Sequence, residues 1–238
     1  SEREEVAKRA TDAHEENERL LREVEKRIKE ALERNEELLK RVSDKAREAA
    51  KKLEDALRRR ARDDERAAEE LVKALEDLAR LIEEAAKRNA ESLREIAKLV
   101  RRAAEENAKS NKDLAKLLKD AGADDDAARK VKEAAEESLK AAEEAVKKIE
   151  DAARKSLKAA KEAAEKIRKA AEEARRAAEE RAKEALRRAA KKALDAAEEA
   201  LELIRKASKE AADAAREALK LILEADKKSL EAAREALR

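Results

Sequence analysis

Cysteine, proline, methionine, phenylalanine, tyrosine and tryptophan are all missing from this chain of 238 residues, and glycine occurs once. Average usage would give roughly 17 glycines and 12 prolines. Each absence removes a class of protein. Without Cys there are no disulfides, no thiolate metal ligands and no cysteine nucleophile, and the redox compartment is left open. Without aromatics there is nothing to stack on a base. The 62 Lys+Arg are set against 60 Asp+Glu, so no one-signed charge awaits a phosphate backbone and nucleic acid is not an expected partner. No apolar run approaches the roughly 18 residues of a membrane-spanning helix, and nothing resembles the n-region and h-region of a signal peptide. The expectation is a soluble protein without membrane or targeting segment. Ser1 in place of Met suggests a processed start, such as a tag scar from recombinant cytoplasmic expression.

What remains is a helix-forming alphabet. The hydrophobic 42% consists of 59 Ala and 41 Leu, Ile and Val, and most of the rest is Glu, Lys and Arg. Ala, Leu, Glu, Lys and Arg are the strongest helix formers, while the β-branched and aromatic residues that favour strands are scarce or absent. The fold class is all-α. Apolar residues recur in steps of three and four almost end to end, from Val6, Ala10, Ala13, Leu21, Val24 and Ile28 onward. Such a stripe needs partner helices to cover it.

Turn signals are few. At Leu118-Lys119-Asp120-Ala121-Gly122-Ala123-Asp124-Asp125-Asp126, Gly122 suits the left-handed position that ends a helix, and the Asp cluster supplies an N-cap to the next. At Arg58-Arg59-Arg60-Ala61-Arg62-Asp63-Asp64-Glu65 basic residues give way to acidic ones, as helix dipoles prefer at a turn, but no Gly is present. A third turn near 183 is inferred from symmetry alone, since Glu180-Arg181-Ala182-Lys183-Glu184 holds neither cap nor breaker.

Polar residues inside the stripes set the register. Asn17 and Asn35, like Asn89 and Asn107, are 18 residues apart, five helical turns, which returns a side chain to the same face. In an antiparallel hairpin, residues at one height have a constant index sum. Asn17 with Asn107 and Asn35 with Asn89 both give 124, as do His14 and Ser110, centring a turn at 62. Asn107 with Ser138 and Asn89 with Ser156 both give 245, centred on Gly122. Ser138 with Ser229 and Ser156 with Ser208 agree less closely, around 183. The expected architecture is one domain, 1–238, a long antiparallel up-down four-helix bundle with helices about 2–61, 64–119, 125–181 and 185–238, each roughly 80–85 Å long. It carries two polar layers: Asn17, Asn107, Ser138 and Ser229 with His14 and Ser110 nearby, and Asn35, Asn89, Ser156 and Ser208. The same sums fit a homodimer of very long helical hairpins turning at Gly122, with 62 and 183 inside unbroken helices.

No catalytic constellation stands out. His14 is the only imidazole; with Glu18 it forms an i, i+4 pair, short of the three or four protein ligands of a zinc site. Carboxylate pairs such as Glu36/Glu37 have Lys or Arg three or four residues away, as on a solvated helix face. None of the eight Ser adjoins a His in sequence, and no Gly-rich loop exists to cradle a phosphate. No metal, cofactor or enzymatic activity is expected. Two other readings remain, a structural scaffold and an amphipathic lipid-surface protein of apolipoprotein type. The second lacks the Trp and Phe that interfacial helices favour.

The Ala/Leu/Glu/Lys/Arg alphabet, the 18-residue polar spacing, the capped Ala121-Gly122-Ala123-Asp124 turn and the balanced charge resemble a de novo designed helical bundle with buried hydrogen-bond networks. The resemblance covers the whole chain and is one of style. It implies a scaffold or assembly module without natural activity, needing no partner or only a copy of itself. The chain departs from that style in lacking Gly or Pro near 62 and 183, where designed loops normally carry one. A natural coiled-coil segment is the alternative, although some Met, Tyr or Gln would then be expected.

Overall fold

The computed structural model describes residues 1–58 and 64–238. Among the described residues the chain is all-α, with four helices and no strand: α1 (Glu2–Arg58), α2 (Asp64–Asp120), α3 (Asp125–Glu179) and α4 (Lys183–Ala236). The Arg-to-Asp turn expected around 62 lies, for residues 59–63, outside the described residues. The other bounds differ from expectation by one or two residues, α3 ending at Glu179 and α4 starting at Lys183 and stopping at Ala236.

Local chemistry ends these helices where it can. Ser1 Oγ accepts the Glu4 backbone N–H at 3.3 Å and caps α1. Asp124 does the same for α3, its Oδ1 accepting the Asp126 N–H at 3.3 Å. At the end of α2, Ala123 N–H bonds to Leu118 O at 2.9 Å and Gly122 N–H to Lys119 O at 3.1 Å, with Gly122 left-handed at φ 75°. That is a Schellman closure on the expected glycine. The α3 terminus repeats it without one. Ala182 N–H bonds to Ala177 O at 2.8 Å and Arg181 N–H to Ala178 O at 3.1 Å, and Arg181 takes φ 58°. The turn expected from symmetry is therefore real and sits at 180–182. A helix running unbroken through 183, which the hairpin-dimer alternative required, is not what the chain adopts.

The chain divides into two compact units. The first comprises Ser1–Ala31, Leu93–Asp151 and Glu210–Arg238, and the second Leu32–Ser92 and Ala152–Lys209. In the second unit every neighbouring helix pair is bridged by ions. Lys52–Glu70 (3.4 Å) and Lys45–Asp77 (3.7 Å) join α1 to α2, and Arg168–Glu83 (2.7 Å) and Arg175–Glu76 (3.5 Å) join α2 to α3. Lys192–Glu173 (3.6 Å) joins α3 to α4, and Arg205–Glu36 (3.4 Å) joins α4 to α1. This is an antiparallel up-down four-helix arrangement. Its core sets large side chains of α2, namely Leu71, Val72, Leu75, Leu78 and Ile82, against an Ala lining from α3 and α4 that includes Ala170, Ala174, Ala190, Ala193 and Ala197. Small residues admit close helix approach, and the α2 side chains fill the space between.

The first unit is organised likewise. Val6 and Ala10 of α1, Leu114 and Leu118 of α2, Val131 of α3 and Ala233 of α4 form one cluster. The Arg216–Glu25 pair (2.9 Å) joins α4 to α1.

Candidate functional site

Among the described residues ten polar side chains are buried: Asn17, Asn35, Asn89, Asn107, Asn111, Ser138, Ser156, Ser208, Asp226 and Ser229. Any candidate site begins with them. Eight of the ten enter three clusters, each inside one unit, and Asn17 and Ser156 stay outside them.

In the first unit a hydrogen-bonded chain crosses the core from α3 to α4 by way of α2. Asn107 Nδ2 donates to Ser138 Oγ at 2.7 Å, Asn111 Nδ2 donates to Asn107 Oδ1 at 3.4 Å, and Ser229 Oγ donates to Asn111 Oδ1 at 2.7 Å. Three of these residues are the expected ones. Asn111 is the link that the 18-residue spacing did not single out, although it stands one turn from Asn107 on the same face, an i, i+4 relation readable in the sequence. Asn17 is buried at this layer but does not join the chain, and its Nδ2 has no partner in hydrogen-bonding geometry. Ser110 is half-buried and outside the chain as well.

The second cluster links α1 to α4. His14 Nδ1 hydrogen-bonds with Asp226 Oδ2, and its Nε2 lies 2.8 Å from Glu18 Oε1. Arg22 reaches Glu18 at 3.4 Å. Burial pushes the Asp226 carboxyl above the usual range; hydrogen bonding and charge from His14 and the nearby Asn17 amide pull it back only in part, and Glu18 adds to the rise. The Asn17 amide acts here through proximity, short of a hydrogen bond. The two carboxylates bind opposite nitrogens of one ring and do not converge on a common point. Among the described residues no group of three or more His, Cys, Asp or Glu is arranged to hold a metal ion.

The third cluster lies in the second unit. Asn35 Nδ2 donates to Ser208 Oγ at 2.9 Å. The Ser208 hydroxyl has Asn89 Oδ1 at 3.1 Å and its own helix's Ile204 O at 2.9 Å as acceptors. Asn35, Asn89 and Ser208 thus meet as expected. Ser156 does not meet them: it is buried, and its hydroxyl donates to Ala152 O at 3.0 Å, one turn back on α3. A serine can satisfy itself on its own helix, and Ser156 does so instead of reaching the layer. Asn35 Oδ1 and Asn89 Nδ2 stay without partners.

One surface concavity sets Ala141, Ala225 and Leu221 between the charged residues Glu137, Lys140, Glu224 and Lys228. Among the described residues the exposed large hydrophobics are Leu203 and Leu221, and no helix is long and apolar enough to cross a membrane. The sequence matches no protein-family model, and comparison with curated proteins and with solved structures returns no match.

Proposed function

We propose that this chain is a structural scaffold or assembly module, a designed helical bundle of coiled-coil-like packing that performs no catalysis and requires no cofactor. The observation that carries the reading is where the buried polar groups go. Asn107, Asn111, Ser138 and Ser229 bond to one another, and so do Asn35, Asn89 and Ser208. A catalytic or ligand site leaves polar groups converging on a cavity. Here they converge on each other. Polar pairs of this kind fix register, because a slip of one heptad leaves each amide facing apolar side chains at about 1–3 kcal/mol apiece.

The competing lipid-surface reading needs helices that open and lay their apolar stripes on a bilayer. Those stripes are covered here by neighbouring helices within each unit, with Ile28, Leu75, Ile82, Ile96, Ile149 and Ile204 fully buried. Flotation with zwitterionic and with anionic liposomes separates the two readings. A scaffold stays in the dense fraction with both; co-flotation of most of the protein would overturn the proposal.

A further inference from the structure

Among the described residues Asp226 is the one ionisable residue with a buried side chain. Its partner, the His14 ring, has a carboxylate oxygen at each nitrogen: Asp226 Oδ2 at Nδ1 and Glu18 Oε1 at Nε2. A neutral imidazole carries one N–H and one lone pair, so it can donate to only one of these oxygens and must turn its lone pair on the other. The imidazolium alone donates to both. We propose that His14, Asp226 and Glu18 form a proton-dependent clip between α1 and α4 of the first unit, closed when the ring is doubly protonated and weakened when the ring loses that proton.

The groups around the clip give no substitute for the proton. From α1, His14, Asn17 and Glu18 face Asp226, and Arg22 lies farther out on Glu18. The buried polar residues of α2 and α3 in this unit are Asn107, Asn111 and Ser138, and α4 adds Ser229; all are uncharged. Among the described residues no buried fixed cation therefore balances Asp226 once the ring is neutral, and Glu18 keeps only the exposed Arg22. Asp226 is 8% exposed and Glu18 30%, so an orphaned lone-pair contact costs most on the Asp226 side of the ring. The clip also has a lower limit. Burial raises the Asp226 carboxyl, so on acidification it becomes neutral sooner than an ordinary aspartate and the contact loses its charge assistance. The clip is strongest between these two protonation events.

A double-mutant cycle tests this, using His14→Gln, Asp226→Asn and the double variant, with stability read by guanidinium unfolding followed by circular dichroism. The expected coupling between the two residues is about fivefold larger, as an equilibrium constant, near pH 6 than near pH 9, the difference between a charge-assisted and a neutral hydrogen bond. Equal coupling at the two pH values would overturn the proposal. Nitrogen NMR of the unaltered protein provides a reading that does not depend on the variants folding. Followed across pH, the folded His14 ring is expected to carry N–H on both nitrogens wherever the coupling is at its largest, and a single N–H there would also overturn the clip.

Discussion

Replacing Arg181 with Gly is expected to stabilise the chain, and the reason is legible in the two Schellman closures. Gly122 and Arg181 occupy the same position of the same motif, with φ 75° and 58°. A residue with a Cβ pays about 1–2 kcal/mol in the left-handed region, and glycine does not. Glycine's greater freedom in the unfolded chain takes back about 0.4–1 kcal/mol. The net gain for Arg181→Gly is about 0.5–1 kcal/mol. Arg181 is exposed and among the described residues makes no ion pair that would be lost. The converse substitution is equally clean. A Cβ built on Gly122 meets nothing within 4 Å, so Gly122→Ala costs the backbone term alone, about 1 kcal/mol. Guanidinium unfolding by circular dichroism is the assay, since the chain has no aromatic reporter. With a slope of roughly 5 kcal/mol/M, each change moves the midpoint by about 0.1–0.2 M, in opposite directions. A midpoint that falls for Arg181→Gly would refute the argument that the left-handed arginine is strained.

Other substitutions separate the polar clusters by what they leave behind. Asn107→Leu strands both Ser138 and Asn111 and is expected to cost about 1–3 kcal/mol in the same unfolding assay. Asn35→Leu removes an amide whose Oδ1 is already unpartnered and leaves the Ser208 hydroxyl both of its acceptors, Asn89 Oδ1 and Ile204 O, so stability should be unchanged or rise by about 1 kcal/mol. Its cost is expected in specificity, read as a broader mass distribution by light scattering. Ser156→Ala should lie within about 0.5 kcal/mol of the parent, because that hydroxyl serves only its own helix. Acidification gives a signed test. The folded pKa of Asp226 lies above its ordinary 3.8, so its proton favours the fold; that stabilisation is complete below 3.8 and lost as pH rises through the folded value. Compared with Asp226→Asn, the parent chain should therefore gain stability as pH falls through that window, and a relative loss would contradict the buried-carboxylate account.

Helix content, the Gly122 turn with its Asp124 cap and the antiparallel order were all readable, because each rests on local propensity or on strict spacing. Index sums were also enough to bring Asn107 to Ser138 and to set Asn35 level with Asn89, while Ser208 entered that layer only through its looser sum with Ser156. What escaped the sequence depends on side-chain choices that spacing does not encode. Ser156 had the right interval but found an acceptor on its own helix. Asn17 had the right interval and burial, yet its Nδ2 found no partner. Asp226 looked like any other of the 60 acidic residues; only its place between Ile222 and Ser229 on the buried stripe of α4 marks it out, and its match to His14 needs the α1–α4 pairing that the turn analysis did not constrain. The 180–182 turn was hidden for a different reason. Its closure is made by the backbone of Ala177, Ala178, Arg181 and Ala182, and an arginine at the left-handed position carries no signal of being there.

The central claim is that one chain covers its own apolar stripes and pairs its own core amides. Cross-linking tests it directly, because the chain has no cysteine of its own. Lys52 and Glu70 face each other across α1 and α2 of the second unit at 3.4 Å, so a Lys52→Cys, Glu70→Cys variant can be treated with a short bismaleimide at low concentration and run on a denaturing gel. The account predicts an internal link at the mass of a single chain, 26.6 kDa. A covalent dimer as the main product would mean that α1 packs against the α2 of a second copy, and the closed single-chain bundle would be wrong.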